Sequence, residues 1–114
     1  MTTPLSNAYM RFLQLTRVLS EDADIQLSAN HRALLEAVAL AWHCGSPMSV
    51  RQAIGLSDLG SPATLHKRLA VLRAQGYVEE IAVAGDRRTK LLGLTQKAVD
   101  YFDKLGAALI IPQS

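Results

Sequence analysis

Residues Leu69 to Ala98 read LAVLRAQGYVEEIAVAGDRRTKLLGLTQKA, and the order of local signals in this stretch decides the fold. Leu65, Leu69 and Leu72 form one apolar stripe of a helix, and Gly76, directly after Gln75, supplies the left-handed stop. Tyr77 to Val83 and Lys90 to Leu94 are short apolar-rich runs on either side of a loop carrying Gly85-Asp86-Arg87-Arg88, the pattern of a hairpin. Leu94-Thr95 opens the next helix, with Thr95 as its cap.

Upstream, Ser61-Pro62 starts the helix that Gly76 ends, with serine as cap and proline at the first helical position, where its missing N–H costs nothing. The face opposite its leucines is centred on Lys67, with Ala63, Ala70 and Ala74 beside it and Thr64, His66 and Val71 on the flanks. Ser49 to Gln52 is a serine/glutamine capping box for a short helix through Gly55. Ser28 caps a helix running to Trp42 or His43, broken by Gly45-Ser46-Pro47. Its apolar residues Leu34, Leu35, Val38, Leu40, Ala41 and Trp42 predict the central buried helix. Leu5 to Leu19 is a first helix on the spacing of Leu5, Tyr9, Phe12, Leu15 and Leu19, and Glu21, Asp22 and Asp24 read as a solvated linker. Downstream of Thr95 a last helix of about 14 residues carries Ala98, Val99, Phe102, Leu105 and Leu109 on the helical repeat. The fold class is mainly α with a small β-hairpin: a winged helix-turn-helix of three core helices plus a wing, with N- and C-terminal helices. Its divisions are 1–27 (helix and acidic linker), 28–95 (core) and 96–114 (C-terminal helix).

At 114 residues the chain is one domain, and 49% hydrophobic content supports a packed core. The longest apolar stretch, Ala33 to Trp42, is interrupted by Glu36 and too short to span a membrane. The N-terminus lacks a basic region followed by an apolar core, so the expected address is cytoplasmic. Cys44 is the only cysteine, which rules out an internal disulfide; the expected state is a buried or unreactive thiol, with a bridge between chains or a redox role left open by counting. Net charge is only +2, but residues 61–97 hold seven basic groups against three acidic ones, while the segments on either side are each slightly negative. His31, His43 and His66 are too scattered for a metal or catalytic set and read as cap, surface or core residues. No nucleophile–base pair, phosphate loop or paired-carboxylate motif is visible, so the reading is no enzyme, no cofactor and no metal.

From Gly76 onward, the order Gly76-Tyr77-Val78-Glu79, a variable stretch, Asp86-Arg87-Arg88 and Leu94-Thr95 resembles the wing of the MarR family of bacterial transcriptional regulators. The resemblance runs to Thr95 without insertion and extends more weakly back to Ser28. It implies a DNA-binding protein whose Ser61 to Gln75 helix enters the major groove, presenting Ser61, Ala63, Thr64, His66 and Lys67. Arg88 is then the minor-groove contact, where a thin hairpin reaches the strongest negative potential, and Asp86 helps hold it. Arg87 and Lys90 would contact phosphates. Three positions depart from the family pattern. Glu80 stands where many relatives have a basic residue, and Ala98 replaces a glycine common after Leu-Thr. One C-terminal helix follows Thr95 where the family has two, so a dimer would rest on Leu5 to Leu19 and that single helix.

The resulting expectation is a homodimeric regulator that binds double-stranded DNA and represses by occupying its operator, with no membrane partner and any small-molecule effector unspecified. Dimerisation would use Phe12, Leu15, Leu19, Phe102, Leu105 and Leu109. The alternative is a winged-helix module that docks an apolar face on another protein without sequence-specific DNA binding.

Overall fold

The computed structural model describes residues 3–21 and 27–109. Its elements run α1 (Pro4–Glu21), α2 (Ala29–His43), α3 (Val50–Ile54), α4 (Pro62–Ala74), β1 (Val78–Val83), β2 (Asp86–Leu94) and α5 (Gln96–Ala107). They divide into two compact units, Ser28–Ala98 on one hand and Met1–Leu27 with Val99–Ser114 on the other. The mainly helical chain with one antiparallel hairpin is the winged-helix class expected from the sequence.

In the unit Ser28–Ala98 the starts of α2, α3 and α4 are each tied down by a serine. The Ser28 hydroxyl accepts from the His31 N–H at 3.3 Å and the Ser61 hydroxyl from the Thr64 N–H at 3.2 Å. At α3 the capping box is complete: Ser49 N–H donates to Gln52 Oε1 at 2.8 Å and Gln52 N–H to Ser49 Oγ at 3.1 Å. Such a cap contributes about 1 kcal/mol. At the other end of α4, Gly76 takes φ +81°. Tyr77 N–H then reaches the Leu72 carbonyl at 2.9 Å and Gly76 N–H that of Arg73 at 3.1 Å, so carbonyls left over by the last turn are satisfied.

The core is Leu34, Leu35 and Val38 of α2, Ala53 of α3, Leu65, Leu69 and Leu72 of α4, and Tyr77, Val78 and Leu92 of the wing root, all buried. α4 packs on α2 and α3, and β2 packs on α2. The expectation of a wholly buried α2 fails at its C-terminal end, where Leu40 is 64% and Trp42 41% exposed. Six residues beyond Leu34, Leu40 points away from the buried stripe. Trp42 lies in the last turn and lays its ring edge over the hairpin at Gly93, where an added Cβ would sit 3.3 Å from Trp42 Cζ3 and 2.7 Å from Ile81 Cδ1.

The hairpin pairs Val78 with Leu94 through Ala82 with Lys90, and then jumps to Val83 with Asp86. The second strand therefore begins at Asp86, earlier than the Lys90 start read from the sequence, and Arg87, Arg88 and Thr89 bulge out of the ladder. Ala84-Gly85 makes the turn, with Gly85 at φ +82°. A rudimentary third strand precedes α3: Leu92 N–H donates to the Met48 carbonyl at 2.8 Å, and Ser49 bridges Leu91. Thr95 closes the unit. Its hydroxyl donates to the Gly76 carbonyl and accepts the Ala98 N–H at 3.2 Å, while its N–H donates to the Tyr77 carbonyl at 3.3 Å. Lys97 reinforces this joint by donating to the Gln75 carbonyl at 2.7 Å, its ammonium 4.6 Å from the centroid of the Tyr77 ring. The fixed sequence distance from Gly76 to Leu94-Thr95 thus has a physical cause: the helix stop and the next helix cap bond to each other.

In the other unit, Thr3 and Pro4 begin α1, with Ser6 N–H donating to Thr3 Oγ1 at 3.1 Å. Leu5, Tyr9, Met10, Leu13 and Val18 are exposed, whereas Ala8 and Thr16 are buried. On α5, which is 12 residues long, Tyr101 and Leu105 are buried and Val99 is exposed, as is Leu109 just beyond the helix. Leu105, assigned to a dimer surface from its spacing, therefore lies inside the protomer. Asp22 and Asp24 of the acidic linker fall outside the described residues, as does the chain beyond Leu109.

Candidate nucleic-acid interface

On α4, Ala63 and Lys67 are exposed and Ala70 half-buried opposite the buried stripe of Leu65, Leu69 and Leu72, with His66, exposed, and Thr64, half-buried, on the flanks. Ser61 is exposed, but its hydroxyl is committed to the cap: besides accepting from the Thr64 N–H it donates to Thr64 Oγ1 at 2.9 Å. Arg68 is spent within the fold, donating to the Leu59 carbonyl at 2.9 Å and fixing the loop between α3 and α4. Lys67 is thus the outward cation of this helix, surrounded by small side chains that allow close approach to a surface.

At the wing, the Asp86 carboxylate organises the bulge. Oδ1 accepts the N–H of Arg88 at 2.9 Å and of Thr89 at 3.2 Å, and Oδ2 accepts the Thr89 hydroxyl at 2.6 Å. The Thr89 hydroxyl, followed by the Arg88 N–H, holds the carboxyl below its ordinary pKa. Asp86 therefore acts on the Arg88 backbone. Arg87 and Arg88 are exposed and Lys90 is half-buried. Glu80, the acidic departure in the wing, forms an ion pair with Arg73 of α4, which offsets its charge.

Arg51 joins this surface without a signal in the sequence. It stands exposed at the start of α3 and lines the same cleft as Arg88 and Lys90, brought there by the pairing of Met48 and Ser49 with β2. A lone arginine in a capped short helix carries no local sign of that placement. The histidines do not converge: the His31 ring lies at the α2 cap, with Nδ1 2.6 Å from Ser28 Oγ, and His43 and His66 are exposed. Cys44 is exposed, not buried. Among the described residues no group of His, Cys, Asp and Glu is arranged to hold a metal, and no helix is long and apolar enough to cross a membrane.

Solved structures similar to this chain include transcriptional regulators. The transcriptional regulator Tm0710 from Thermotoga maritima superposes with TM-score 0.67 at 19% identity, covering 89% of this chain and 66% of that one. A MarR-like transcriptional regulator from the same organism, Tm0816, gives 0.60 at 18% identity over 88% of this chain and 68% of its own. A mutant MarR from E. coli complexed with operator DNA gives 0.59 at 18% identity over 89% and 69%. The chain thus spans about two thirds of the length of these structures. No protein-family model and no curated protein matches the sequence. The shared architecture defines the class: this chain has the MarR-like winged-helix fold.

Proposed function

We propose that this protein is a DNA-binding transcriptional regulator that acts in the cytoplasm as a homodimer and represses by occupying its operator. The observation that carries the reading is the conjunction, on one unit, of the Lys67 face of α4 with a bulged wing tip whose two arginines are exposed. In this reading α4 enters the major groove with Ser61, Ala63, Thr64, His66 and Lys67 toward the bases. Arg88 enters the adjacent minor groove, Asp86 sets its backbone, and Arg87 and Lys90 contact phosphates. The solved relative bound to operator DNA supports the partner, and the exposed Leu5, Tyr9, Met10 and Leu13 of α1 support a second copy as cover. The two large apolar residues exposed on the Ser28–Ala98 unit, Leu40 and Trp42, lie on α2, so the α4–wing surface lacks the apolar patch that a protein-docking module would present. Selection from a random duplex library at near-physiological salt tests the proposal. Enrichment of a two-fold-symmetric site with half-sites one helical turn apart, ~34 Å, supports it. Failure to enrich any sequence counts against it.

A further inference from the structure

The start of α3 and the bulged side of the wing border a cleft of about 480 Å³ whose lining includes Ser49, Arg51, Glu80, Arg88, Thr89 and Lys90. Its two walls are joined through the backbone by the Leu92 N–H to Met48 carbonyl bond at 2.8 Å and by the Ser49–Leu91 bridge, so Arg51 is held beside the wing. Charge in the cleft is uneven once internal partners are assigned. Glu80 is ion-paired with Arg73, whereas Asp86, which also lines the cleft, keeps its negative charge although its oxygens are occupied by the Arg88 and Thr89 N–H groups and the Thr89 hydroxyl, so three cations face one unpaired carboxylate. Among the described residues, the side chains of Arg51, Arg88 and Lys90 have no ion pair or hydrogen bond. The capping box already uses the backbone N–H groups of Ser49 and Gln52, and the proposed attraction to an anion rests on the three side chains.

We infer that this cleft seats one phosphate group, its occupant a phosphodiester of the duplex backbone, with Arg51 as the anchor on the α3 side; the identity of the occupant rests on the DNA-binding reading above. A planar guanidinium grips two phosphate oxygens at once, and Lys90 adds a point charge from the opposite wall. Arg51 would thereby fix the wing's depth and register on the duplex, a positioning contact that carries no sequence information itself.

The test is duplex affinity as a function of salt for the intact chain, for Arg51→Ala and Arg51→Lys, and for Lys104→Ala as a control cation on α5. Loss of one phosphate contact lowers the slope of log K against log salt by about 0.9, so the parent-to-variant affinity ratio for Arg51→Ala should shrink about 3.5-fold between about 50 and 200 mM salt. Arg51→Lys should keep the parental slope, and Lys104→Ala should leave it unchanged. A parental slope in Arg51→Ala, from a parent that binds duplex, overturns the seat while leaving the DNA reading intact. An equal loss in Lys104→Ala also overturns it, since the effect is then net charge alone. If the parent binds no duplex, the DNA reading fails, and inorganic phosphate titrated into isotope-labelled protein decides the seat. Amide shifts at Arg51 and Thr89 that vanish in Arg51→Ala uphold an oxyanion site, and unmoved amides overturn it.

Discussion

Asp86, the first residue of β2, accepts the backbone N–H of Arg88 at 2.9 Å and so ties its carboxylate to the main chain of the wing tip. With the two bonds from Thr89 it stabilises a three-residue bulge that turns Arg87 and Arg88 out of the ladder. The guanidinium is left for an external partner, because the carboxylate engages only the main chain of its neighbour. Asp86→Ala should therefore loosen the tip without unfolding the core. Amide hydrogen exchange is expected to quicken at Arg88 and Thr89 while Leu69 and Leu72 keep their protection. Unchanged exchange at the tip would show that the bulge holds itself.

The same bonds give a pH dependence of defined sign. The folded Asp86 pKa is lowered, first by the Thr89 hydroxyl and then by the Arg88 N–H. Its contribution to tip order is thus fully present above the ordinary carboxylate value and is lost as pH falls through the lowered folded value. Titration of the Thr89 amide shift should give a midpoint below the usual carboxylate range. A midpoint at or above that range contradicts the assignment.

The two faces of α4 separate folding from the proposed recognition. Leu69 is 3% exposed, and Leu69→Ala should cost about 2 to 5 kcal/mol by leaving a cavity. Lys67→Ala, on the exposed face, should stay within about 0.5 kcal/mol in denaturant unfolding while changing sequence preference in duplex binding. Similar destabilisation by both would mean that the outward face is misassigned.

At Gly93 the side chains of Ile81 and Trp42 occupy the space that a Cβ would need. A methyl group there meets Ile81 Cδ1 at 2.7 Å and Trp42 Cζ3 at 3.3 Å; because Cδ1 ends a half-buried side chain that can swing aside, Gly93→Ala should destabilise by about 1 kcal/mol, the low end of overpacking. Ile81→Val removes the nearer atom and should recover part of the loss, which a double-mutant cycle measures. Full additivity of the two changes would show that the contact carries no strain.

Elements governed by near neighbours were legible from residue order. Ser28, Ser49 and Ser61 cap helices through bonds to residues three positions on, and Gly76 stops α4 through bonds within one turn. What could not be read depends on partners distant in sequence. Trp42 is exposed because only its ring edge finds Gly93, and Arg51 reaches the wing because Met48 and Ser49 pair with β2. The Asp86 bulge is an intermediate case. Its residues were recognised as a tip, but alternation of apolar and polar residues does not reveal that a carboxylate will pull three residues out of register inside a strand. Arg68 and Arg73 illustrate the limit for charge: both add to the positive balance of residues 61–97, and both are used within the fold.

The central claim, that α4 and the wing form one DNA-reading head, is tested most directly by the salt-dependent affinity of an Arg87→Ala/Arg88→Ala double variant for the selected duplex. Loss of the Arg88 contact should cost about 1 to 3 kcal/mol, and the slope of log K against log salt should fall by about 0.9 for each phosphate contact removed, with circular dichroism and thermal midpoint close to the parent. Affinity and slope equal to the parent in a folded double variant would contradict the account.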